Sequence, residues 1–185
     1  KDLEEIERKV RKLNEDDKKL LDDLRKEVEK ALRRNEESLR KSREDAKKII
    51  KEIEDLARRG EPKRDLLRKL EEDLKRVEDE VRKNEKRSRD LLDRLRRILE
   101  DLIRESERSA DELRRDMKRL IDDKDDKEMK DALRELLRSH RKSSEDTKRE
   151  LERLLREYEK VSRDVKRDHE KLLREIREVI EEVKK

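Results

Sequence analysis

The sequence predicts an all-α fold: an up-down-up antiparallel three-helix bundle of long, nearly straight, coiled-coil-like helices. Three observations lead there. Apolar side chains recur at helical spacing in three stripes of equal length, beginning near residues 3, 66 and 129. The single Gly and the single Pro stand together in Gly60-Glu61-Pro62, just past the first stripe. Finally, 63% of the residues are charged and 28% are hydrophobic, the composition of helices that bury a narrow seam. Disorder is the competing reading of so polar a chain. It is disfavoured because 60 Lys and Arg nearly cancel 56 Asp and Glu, and because Leu, Ile and Val still supply 44 residues.

The first helix is expected over about 2–59. Asp2 with Glu5 forms a capping-box pattern. The stripe runs from Leu3 to Leu56/Ala57 in 15 turns over 54 residues, 3.6 per turn, so little supercoil is expected. Gly60 suits the left-handed residue past a helix end, and Pro62 suits the first turn of the next helix. A loop at 60–61 forces antiparallel neighbours. The second helix is expected over about 62–121, from Leu66/Leu67 to Leu120/Ile121. A loop at 122–125 follows, with Asp125 and Glu128 as a second capping box. The third helix, about 126–184, carries Met129 to Val183. At 1.5 Å per residue each helix is roughly 85–90 Å long. The whole, 1–185, is read as a single domain.

Polar residues break the stripes at matching levels. Counting the second helix backwards and the third from its own start gives every residue a height on one scale. All sixteen uncharged polar side chains then fall at heights 13–21 or 32–43. The lower band holds Asn14, Ser106, Ser109, Ser139, His140, Ser143, Ser144 and Thr147, with Asp17 at an inward step beside them. The upper band holds Asn35, Ser38, Ser42, Asn84, Ser88, Tyr158, Ser162 and His169. Surface polar residues would scatter. Clustered ones satisfy one another, whereas each unpaired buried group costs about 1–3 kcal/mol. The bands therefore read as two structural hydrogen-bond networks that penalise slipped registers. Asp17 is expected to accept from His140 or Ser106.

Equal helices, the Gly60-Glu61-Pro62 loop, the absence of Cys and Trp, and layered Ser/Asn/His/Tyr networks on Glu/Lys/Arg/Asp-rich helices together resemble a computationally designed helical bundle. The resemblance covers the whole chain in style and rests on no signature motif. It implies a scaffold for which no natural function was selected. Spectrin-type three-helix repeats are similar in topology, but the core Trp usual there is missing here.

No catalytic, cofactor or metal residue is expected. His140 with Asp17, and His169 beside Asp168, offer one His per band, too few for a zinc site. A Ser106-His140-Asp17 triad lacks an oxyanion hole and a strained elbow. Without Cys there is neither a disulfide nor a thiolate site. The net charge of +4 is interspersed along the helices, and Tyr158 is the single aromatic side chain, which disfavours nucleic acid. No run of 18 apolar residues suggests a membrane span, and no secretory signal pattern is present. The expected function is a structural scaffold, a monomer that requires no partner. The alternative is a coiled-coil spacer that binds partner helices or self-associates. Nothing in the sequence fixes a compartment.

Overall fold

A computed structural model describes residues 2–123 and 126–185, and the fold is all-α. Helix α1 spans Asp2–Arg58, α2 spans Lys63–Asp123 and α3 spans Lys127–Lys184. The three long helices pack against one another, and among the described residues there is no strand.

The turn between α1 and α2 follows from its residues. Gly60 has φ 81°, a left-handed conformation that a side chain disfavours. The Glu61 N–H donates to the Leu56 carbonyl and the Gly60 N–H to the Ala57 carbonyl, both at 3.1 Å. This is the Schellman pairing that satisfies the last carbonyls of a helix. Pro62 lies one residue outside α2. Its carbonyl accepts the first helical bonds, from Asp65 and Leu66, at 3.0 and 3.1 Å. Pro62 thus caps α2 and its missing N–H leaves no bond unmade.

Helix α2 runs two residues past the end of its apolar stripe, through Asp122 and Asp123. Neither residue breaks a helix, so the backbone ladder outlasts the side-chain pattern. The expected Asp125 cap lies outside the described residues. The cap observed on α3 is Asp126, whose Oδ1 accepts from the Glu128 N–H at 3.0 Å.

Contacts gather into two units. The first joins Lys1–Val28 to Asp93–Arg156, and the second joins Glu29–Leu92 to Glu157–Lys185. In the first, Ile6, Val10, Leu113, Met117, Leu120, Met129 and Leu133 form a closed apolar cluster. Leu24, Val28, Leu95, Leu102 and Leu151 are buried elsewhere in the same unit. In the second, the cluster runs from Leu39, Ala46, Ile49 and Ile53 through Leu66, Leu70, Val77 and Val81 to Val165, Leu172, Leu173, Ile176 and Ile180. Burying one such Leu or Ile side chain contributes about 1.5–3 kcal/mol.

Register can be read within each unit from polar pairs. In the first, Asn14 bonds Ser139 and Arg25 bonds Glu150, each 125 residues apart. In the second, Arg43 pairs with Asp168, again 125 apart. A constant offset makes α3 parallel to α1. Helix α2 runs the other way: Lys9 meets Asp116 and Glu27 meets Arg94 in the first unit, while Asn35 meets Ser88 and Glu52 meets Lys69 in the second.

Candidate functional site

The lower band lies wholly in the first unit, where it interrupts the apolar packing. His140, Ser144 and Thr147 are buried, at 3%, 9% and 5% exposure. Asn14, Asp17, Ser106, Ser109 and Ser143 are half-buried, and Ser139 is exposed. The Asn14 Nδ2 donates to Ser139 Oγ at 3.1 Å, which ties α1 to α3. The Asn14 Oδ1 and the His140 Nδ1 are enclosed without a partner among the described residues. Ser106, His140 and Ser144 line a groove of about 490 Å³ between α2 and α3, rimmed by charged side chains.

Asp17 departs from expectation. It bonds neither His140 nor Ser106 among the described residues. Its carboxyl is instead pushed up to about 6, first by burial and then by the neighbouring carboxylates of Asp16 and Glu105. An acid facing acids keeps its proton longer. Among the described residues the Ser106-His140-Asp17 triad is therefore not assembled, since Asp17 does not bond His140 and the His140 Nδ1 has no partner. Burial alone lowers the pKa of His140.

The upper band lies wholly in the second unit. Asn35, Ser38, Ser42, Asn84, Ser88, Tyr158 and His169 are all buried, and Ser162 is half-buried. The Ser88 Oγ donates to Asn35 Oδ1 at 3.2 Å, a bond between α2 and α1 with both partners enclosed. The Ser38 Oγ donates to Glu80 Oε1 at 3.4 Å. Asn84, Ser88 and Ser162 share a groove of about 220 Å³ between α2 and α3. Asn35 reaches that group through Ser88.

The most enclosed polar residue is His169, at 0% exposure. Neither ring nitrogen makes a well-aligned hydrogen bond among the described residues, and the Ser42 Oγ, the Ser162 Oγ and the Asn35 Nδ2 are likewise unpartnered. Burial lowers the His169 pKa. The nearby Ser38 backbone, Glu85, Glu80 and Asp168 pull the other way, and burial prevails. Tyr158 is 2% exposed, and its hydroxyl is not among the enclosed atoms left without a partner.

Sequence reasoning missed Asp73, which is 3% exposed and ion-paired with Arg76 on its own helix. A signal existed: Leu66, Leu70, residue 73, Val77 and Val81 follow a core rhythm of three and four. Counting uncharged polar residues alone hid it. Glu80 was missed for the same reason.

Among the described residues, no three His, Asp or Glu side chains are grouped to hold a metal. No described helix is long and apolar enough to cross a membrane.

No family model matches the chain, and no curated protein matches it. Among solved structures, it is similar to one described as "Computationally designed three helix bundle", at 20% sequence identity and a TM-score of 0.45, over 99% of this chain and 87% of that one.

Proposed function

We propose that this chain is a structural scaffold whose polar layers hold three helices in one register, with no reaction of its own. One observation carries the reading: the enclosed Ser88–Asn35 bond sits in a band of buried Ser, Asn and His drawn from all three helices. A polar side chain in an apolar stripe costs stability wherever its partners are displaced. A slipped register would set these groups against Leu and Ile, so the layers act against alternatives more than they add stability. The surface agrees with this role. Among the described residues no large apolar side chain is exposed, which supports a chain that needs no partner helix. The equal helices, the Gly60 turn and the layering favour deliberate design as the origin. The reading includes that residues 1–185 act as one domain and as a monomer.

The test replaces the upper layer with apolar side chains: Asn35→Leu, Asn84→Leu, Ser88→Ala and His169→Leu together. Circular dichroism should show helicity retained and the urea midpoint raised. Amide NMR should show more cross-peaks than residues, because several packings become comparable. A variant that keeps a single sharp set of peaks would remove the specificity role.

A further inference from the structure

The two layers hold one His each, but they enclose it differently. His140 lines an open groove in the first unit. His169 is sealed in the second, with both ring nitrogens enclosed and unpartnered. We propose that the second unit is acid-labile: protonation of His169 opens Glu29–Leu92 and Glu157–Lys185, while the first unit keeps its packing. This rests on the layers being packed as described above.

A protonated imidazole needs a partner for each N–H, and among the described residues neither ring nitrogen of His169 has a well-aligned one, although the Ser38 backbone lies nearby. The groups facing His169 are known from each helix. On α1 it is the Ser38 backbone, while Arg43 of the same helix is tied to Asp168 in an ion pair at 3.4 Å. On α2 they are Glu80 and Glu85, and on α3 Asp168. The three acids favour the charged ring, yet Glu80 already accepts from Ser38 and Asp168 already holds Arg43. Enclosure therefore prevails, and the folded ring takes up a proton less readily than a free imidazole.

The sign follows from linkage. Because the folded pKa is lowered, the open form binds a proton that the closed form refuses. The penalty is absent above the free imidazole value of about 6.5 and grows as pH falls below it, down to the folded pKa.

The first unit answers differently. The groove around His140 carries Glu107, Asp111 and Arg114 from α2 and Arg141, Glu145 and Lys148 from α3, three acids and three bases. His140 is buried too, but its Nδ1 alone is enclosed and unpartnered and its ring lines the groove, so protonation strands one N–H there against two at His169. On α1, Asp17 has its pKa raised, which makes acid stabilising there and offsets the cost at His140.

The experiment is segment-resolved hydrogen exchange on the full chain at pH 7.5 and pH 5.0, corrected for the intrinsic rate. Opening of the second unit should rise by up to about 30-fold at the lower pH, the factor set by 1.5 pH units below a free histidine. The first unit should change by much less. His169→Leu should abolish the rise, and His140→Leu should preserve it. Should His169→Leu fail to fold, proton NMR of the wild-type imidazoles decides the matter. His169 must then stay neutral in the closed form at pH values where His140 titrates. Equal responses in both units, no response, or a rise that survives His169→Leu would overturn the proposal. Amides of the second unit unprotected already at pH 7.5 would instead overturn the packed layer, and this inference with it.

Discussion

Half-buried Asp17 holds its proton to about pH 6 because burial and two neighbouring carboxylates disfavour its charge. The folded form binds that proton more tightly than an unfolded aspartate of pKa about 3.9 does. The penalty is therefore absent below about pH 3.9 and complete above about pH 6. Asp17→Asn should raise the urea midpoint at pH 7.5 and leave it nearly unchanged at pH 4. An equal gain at both pH values would mean that the charge is irrelevant there. Inward placement of Asp17 was legible from spacing alone. Its partners were not, because a one-dimensional pattern says which step faces inward and not which neighbour the carboxyl meets. Asp73 teaches the converse. Its spacing marked a core position, but its charge argued for the surface, and the Arg76 ion pair resolves the conflict.

The helices themselves were legible within a residue or two at each end. Gly60 fixed one boundary because the Schellman bonds need a left-handed residue where it stands. Gly60→Ala should cost on the order of 1 kcal/mol, read from the thermal or urea midpoint. The cost is conformational, since a Cβ there would meet nothing within 4 Å. Gly60→Asn should cost less, because Asn tolerates that conformation. Equal losses for both would point to a lost contact instead. The end of α2 was less legible. Periodicity reports where a helix stops burying side chains, whereas its backbone bonds continue to Asp123.

At the scale of the molecule, antiparallel α1 and α2 and parallel α3 were readable from equal stripe lengths. Bonded pairs 125 residues apart in each unit agree with the height scale to a single residue. The division of contacts into two units was not readable, because no Gly or Pro stands near residues 28, 92 or 156 and the helices run through. In the proposed scaffold, the three helices of one copy build both polar layers. Light scattering at neutral pH tests it most directly. The expected result is a monodisperse monomer of 22.8 kDa. A stable dimer at twice that mass would mean that a second copy completes the layers, and would contradict it.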